Sequence, residues 1–157
     1  MGGIEEKTAE SPERVHKILA HSYSLFFLFF LLGVTLDFIY PIRPWKPEIM
    51  APLGLVFIIW ATYLVYWAQK TSRNLAKNNL AMESFCKGPY CYTRTPTHWG
   101  LFFLLLGFGF ISGTLFVILF TLLAILISRL TFIRKQEKML ALKYGAPYLE
   151  YKKMVRF

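Results

Sequence analysis

The sequence predicts an all-α, polytopic membrane bundle: four transmembrane helices, the last two forming a C-terminal helical hairpin, with a cytoplasmic helix after them. Three observations predict it. Of the 157 residues, 55% are hydrophobic and 18% aromatic, and the mean hydropathy is positive, which is too apolar for a soluble domain of this size. Uncharged stretches of membrane-spanning length recur along the chain. The 18 Lys and Arg residues, which give a net charge of +9, gather at the edges of those stretches. There they meet anionic lipid headgroups, so membrane lipids and not nucleic acid are the expected partners of the charge.

The chain divides into a polar tail (residues 1–21), a pair of spans (22–69) and the remaining 70–157, all within one integral membrane domain. The tail, MGGIEEKTAESPERVHKILAH, carries three basic and four acidic residues. No small-residue cleavage site follows the apolar run behind it, so no signal peptide is expected. Glu6 stands where a myristoylation signal needs Ser or Thr.

Ser22 to Tyr40 is nineteen residues with one charge, Asp37, near its end, and Ile49 to Ala68 is twenty with none. Both are long enough to cross a bilayer. Between them PIRPWKPE holds three prolines, which cannot continue a helix and force a tight connection between antiparallel spans. Asp37, close to Arg43, reads as an interfacial charge. Lys70, Arg73 and Lys77 read as a lipid-facing or solvated run after the second span.

Thr97 to Ser128 contains thirty-two residues without a Lys, Arg, Asp or Glu. A straight helix of that length would run about 48 Å, against a hydrocarbon core of about 30 Å. Gly107, Gly109 and Ser112-Gly113-Thr114 lie near its midpoint, so the stretch is expected to fold into two antiparallel helices around a Gly/Ser turn. Charge agrees with this. Residues 69–96 hold five Lys/Arg, 129–157 hold eight, and the 41–48 loop only two. The positive-inside rule sends both basic segments to the cytoplasm, which needs an even number of crossings between them. The expected result is four spans with both termini cytoplasmic.

That topology brings the polar stretch GPYCYTRTPTHWG (88–100) to the same face as the segment after the hairpin. Thr95-Pro96 reads as a helix start, with Thr95 as N-cap and Pro96 at the first helical position. His98 falls in the first turn, where the positive end of the helix dipole favours neutral imidazole. Tyr90, Tyr92 and Trp99 are either interfacial aromatics or cation-binding faces. Cys86 and Cys91, separated by four residues, fit neither a zinc site nor a CxxC pair and read as free thiols in a reducing compartment.

Past the hairpin, Leu130, Ile133, Glu137, Leu140 and Tyr144 share a helical face, and Gly145 with Pro147 ends the helix. A carboxylate centred on an apolar stripe needs a cation. Glu137 therefore either forms a structural salt bridge, with Arg94 as candidate, or contacts a charged ligand.

KGPYCYTRTPTHWG resembles the GPYRYVRHPMYxG signature of the isoprenylcysteine carboxyl methyltransferase and phospholipid methyltransferase superfamily. IRKQEKMLALKYGAPYLEYKKMVRF is similar to the RxEExxLxxxFGxxYxxYxxxVxRF segment that follows it there, again after an uncharged hairpin. The likeness spans residues 85–157 and rests on Gly88, Pro89, Tyr90, Tyr92, Arg94, Pro96 and Gly100, then Glu137, Leu140, Gly145, Tyr148, Tyr151, Val155, Arg156 and Phe157. It departs at Thr95, where the family has His, at His98, where it has Tyr, and at Gln136, where it has Glu.

The resemblance implies a membrane enzyme that binds S-adenosylmethionine at the cytoplasmic face, outside any Rossmann domain, and takes a lipid-like or prenylated acceptor from the bilayer. By matched position, Gly88, Pro89, Tyr90, Tyr92 and Arg94 would line the cofactor pocket, with Glu137 contacting a polar part of it; Pro96 and the departing Thr95, His98 and Gln136 are further cofactor-binding candidates. Arg94 would hold an anionic acceptor as a bidentate fork, and Glu137 would act beside it as the second catalytic residue. The prenylcysteine carboxylate is the first expectation for the acceptor. A phospholipid amine and a small thiol are the alternatives, and no metal is expected. Three further readings stand beside methyl transfer: a noncatalytic protein that keeps the scaffold, a small transporter, which would need a mid-span acid, and a nicotinamide-dependent membrane reductase.

Overall fold

The computed structural model describes residues 5–75 and 88–155, and all regular structure among them is helical. Helix α1 runs Glu5–Ile39 and α2 Pro47–Leu75; a short 3-10 turn, Gly88–Cys91, leads to α3, Pro96–Ser112. Helix α4, Leu115–Ile127, passes through a π-helical segment, Ser128–Ile133, into α5, Arg134–Tyr144, and α6, Ala146–Met154, closes the described chain. Arg73 lies near the end of α2, while Cys86 and Lys77 fall outside the described residues.

Three helical stretches are long and apolar enough to cross a membrane: Ala20–Ile39, Pro47–Ser72 and Leu115–Leu142. Helix α3 is as apolar but has 17 residues. Large side chains such as Phe27, Phe38, Ile59 and Tyr63 face outward, as they must where the surrounding solvent is lipid and every backbone polar group has to be satisfied inside the helix.

The helices pack as antiparallel neighbours. Gly54 and Gly107 bring α2 and α3 together backbone to backbone: a Cβ on either would stand 2.6 Å from the carbonyl oxygen of the other. Small residues allow such close approach in lipid, where dispersion rather than the hydrophobic effect holds helices together. Phe26, Leu105 and Ala124 join α1, α3 and α4 in a core that Phe30, Leu101 and Leu104 extend. A second small core, Tyr148, Tyr151 and Val155 with Leu140, seats α6 against α5.

The hairpin turn sits at Gly113, whose φ of 68° is the left-handed conformation that glycine adopts without strain. Gly107 and Gly109 stay inside α3 and serve close packing instead. Beyond the turn, α4 begins without a side-chain cap from its own Thr114. Asp37 supplies the cap from α1, accepting the N–H of Phe116 at 3.2 Å and of Val117 at 3.0 Å. Asp37, expected only as an interfacial charge, is thus the cap of a neighbouring helix, where its carboxylate meets open N–H groups at the positive end of the dipole.

Two further expectations are corrected. Leu130 is half exposed and leaves the face that Ile133 and Glu137 share, since a π segment carries one residue more than an α-helix and shifts the register of what precedes it. Cys91 is disulfide-bonded and not a free thiol. A spacing that excludes metal and redox motifs places no bar on a bridge, which needs only Cα atoms within about 7 Å of each other.

Candidate functional site

Residues 88–98 turn sharply because Gly88 adopts φ 58°. It lies so close to α2 that a Cβ there would stand 2.6 Å from Thr71 Oγ1. The amides of Tyr92 and Thr93 both donate to the Pro89 carbonyl at 3.1 Å, with Pro89 buried beneath them. This turn points Arg94 across to α5. Its Nη1 lies 2.5 Å from Glu137 Oε1, while Lys152 of α6 reaches Glu137 Oε2 at 2.8 Å. Arg94 and Glu137 are 17% and 14% exposed, Lys152 42%, so the inner pair is the one with little water to screen it. The Tyr151 hydroxyl donates to the Tyr90 carbonyl at 2.6 Å, a second tie between the turn and α6.

Burial pushes the Tyr148 phenol up to about 12, with the Glu137 charge adding to it and Arg94 opposing. It likewise raises Tyr151, helped by Tyr148, and Tyr90, where a hydrogen bond with Ser72 works against it. All three are neutral O–H groups at physiological pH, as the donation from Tyr151 requires.

Helix α3 starts at Pro96, and the carbonyl of Thr95 accepts the amides of His98 and Trp99. The Thr95 side chain makes no cap bond. His98 is 2% exposed and shares its Nε2 with Ser22 Oγ at 2.8 Å; Ser22 Oγ lies 2.7 Å from Ser128 Oγ. Both serines are buried completely. Antiparallel packing of α1 against α4 sets this register: Asp37 meets the start of α4 at one end and Ser22 meets Ser128 at the other.

A pocket opens beside the ion pair. Arg94, Thr95, His98 and Trp99 line it from the turn and α3, and Ile125, Arg129, Ile133 and Glu137 from the last long helix. Of the residues the sequence marks, Arg94, Thr95, His98 and Glu137 come together here. Gly88, Pro89, Tyr90 and Pro96 lie behind them as the turn and its packing. Tyr92 is 77% exposed and points away, and Gln136 is half-buried off the pocket. In a helix, neighbours in sequence diverge by about 100°, so Gln136 and Glu137 cannot both face it.

Ser22, Ser128, Arg129 and Lys152 escape the sequence reading. Only depth could have marked the first two, Ser22 at the start of one apolar run and Ser128 at the end of another, and antiparallel packing brings such residues level. Arg129 is the first charge after the thirty-two uncharged residues. The arrangement offers two guanidiniums, one carboxylate, an indole and a buried imidazole around one small opening, a set that can hold a zwitterion or an anion beside an apolar wall. Compared with protein-family models, with characterised proteins and with solved structures, the chain matches none.

Proposed function

We propose that the chain is an integral-membrane methyltransferase that draws on S-adenosylmethionine and acts on a lipid-like or prenylated acceptor, the carboxylate of a prenylated cysteine first among them. One observation carries the reading. The two segments that resemble the methyltransferase superfamily, 88–100 and 134–155, meet through Arg94 and Glu137 at a shared pocket.

The donor set fits the cofactor's chemistry. A guanidinium suits its carboxylate, the Glu137 carboxylate its ammonium, and the Trp99 ring its cationic sulfur. When bound, S-adenosylmethionine supplies the methyl group and the sulfur leaving group of an in-line displacement. Arg94, fixed by Glu137, orients the bound molecule, and Ile125 and Ile133 keep water from the apolar side. Gly88 and Pro89 hold Arg94 by shaping the turn. With α3 counted as a short fourth crossing, both basic segments fall on the cytoplasmic side together with the two termini.

The test is incubation of the purified protein with methyl-labelled S-adenosylmethionine and a prenylcysteine, a phosphatidylethanolamine or a small thiol, following where the label goes. Transfer to the prenylcysteine is the expected result; absence of saturable cofactor binding would overturn the reading. A second reading is a noncatalytic scaffold protein, favoured by one observation: both oxygens of Glu137 are already paired, to Arg94 and to Lys152. Saturable binding without transfer to any acceptor would select it.

A further inference from the structure

We propose that the Nδ1–H of His98 and the guanidinium of Arg129 form an oxyanion-binding subsite in this pocket, oriented by Ser22 and Ser128. The argument begins with proton bookkeeping along Ser128, Ser22 and His98. Ser128 Oγ has one hydroxyl-distance partner among the described residues, Ser22 Oγ. Other hydroxyls on these helices donate to the carbonyl four residues back, as Ser24, Thr35, Thr62 and Thr121 do. If Ser128 donates to Ser22, then Ser22 donates to His98 Nε2, and one group is left unmet: Nδ1–H. The reverse order leaves two unmet, the Ser128 hydrogen and the Nδ1 lone pair. Because each unsatisfied buried polar group is costly, the first order is the ground state, and His98 is the Nδ1–H tautomer.

His98 Nδ1 is buried and has no partner among the described residues, and His98 lines the pocket. Arg129 lines the same pocket from the π segment, and no carboxylate pairs with it among the described residues. The pocket's acid, Glu137, is committed to Arg94 and Lys152. Two N–H donors thus lack an acceptor, in a lining that carries two guanidiniums against one carboxylate. The start of α3 adds the positive end of its dipole. The complement is an oxygen anion, from an acidic lipid headgroup or a soluble molecule. Arg129 lies outside the signature, and His98 stands where the superfamily has Tyr. The inference rests on the same pocket as the methyltransferase reading but not on methyl transfer.

Two measurements on the full chain in maltoside micelles test it. Nitrogen-15 histidine labelling, with His16 and His21 changed to Gln to leave one signal, reports the tautomer of His98. The Nδ1–H form is expected, converting to mixed tautomers in Ser22→Ala; a bare Nδ1 in the unsubstituted protein would overturn the assignment. Dodecyl phosphate is then titrated against dodecanol as the uncharged control. Saturable binding at least tenfold tighter than dodecanol is expected, weakened at least tenfold in Arg129→Gln, an exposed position whose change leaves the fold intact. Equal affinity for both probes, or an Arg129→Gln protein that binds as the original does, sinks the subsite. Inorganic phosphate that competes marks a soluble anion, and failure to compete a lipid-borne one; either supports the subsite. S-adenosylhomocysteine that fails to bind at all would remove the methyltransferase reading alone.

Discussion

Asp37 and Val117 stand 80 residues apart in sequence and 3.0 Å apart at their hydrogen bond. The carboxylate of one helix closes the start of another, and with Phe116 it satisfies two of the N–H groups that an uncapped helix leaves open in an apolar setting. Asp37→Ala should therefore cost about 2 kcal/mol, within the range for charge-assisted hydrogen bonds, and Asp37→Asn about half of that. Thermal unfolding in detergent reads both; an unchanged midpoint for the alanine variant would show that α4 needs no cap.

The Arg94–Glu137 pair lends itself to a double-mutant cycle. Removing one partner strands the other charge where it is mostly shielded from water, which costs more than removing both. Arg94→Ala or Glu137→Ala alone should each lose about 2 kcal/mol, discounted from the fully buried case for their residual exposure, and the double variant less than the sum. In the methyltransferase reading Arg94→Ala also lowers turnover well beyond the loss of folded protein. Parallel losses would leave Arg94 a structural role only.

Alkaline pH should unfasten the C-terminal helix. The Tyr148 phenol rises from 10.0 to about 12 on folding, so the folded chain holds the proton more tightly than the unfolded one. The stabilisation is complete below pH 10 and falls away as pH climbs from 10 toward 12. Melting midpoints at pH 9, 10.5 and 11.5 should decline in that order, and Tyr148→Phe should flatten the decline. A slope that phenylalanine leaves untouched would point to other groups.

Membrane orientation can be checked directly. The proposed orientation, argued from charge asymmetry, has the pocket facing the cytoplasm, whereas a disulfide at Cys91 is commoner in oxidising compartments. A cysteine introduced at exposed Leu142 of α5 should react with an impermeant maleimide only after the membrane is opened. Labelling in sealed cells would invert the bundle.

Much of the architecture was open to inspection from the residues alone because bilayer spans follow from simple counts: uncharged length for α1 and α2, excess length for the hairpin, prolines for the first connection. The meeting of Arg94 with Glu137 followed from parity of crossings. What stayed hidden depends on helix phase and depth. Leu130 leaves the apolar face that its spacing predicts because a π segment leaves no mark in composition. The capping role of Asp37 is hidden because a cap supplied from another helix requires knowing which helix start lies level with it. Ser22, His98 and Ser128 align only once α1, α3 and α4 are registered against one another, and no spacing within a single segment encodes that.

The π segment at 128–133 acts as a phase shifter built into the last long helix. Everything beyond it is turned by about 100° relative to an uninterrupted α-helix, and Glu137 faces Arg94 because of that turn. Deleting a single residue there would leave every side chain of α5 chemically intact yet swing the acid away from its cation, while the hydrophobic half of the same helix kept its seat. The junction therefore sets the relative aim of membrane anchor and polar pocket, so a length change of one residue would separate the two where most substitutions would not.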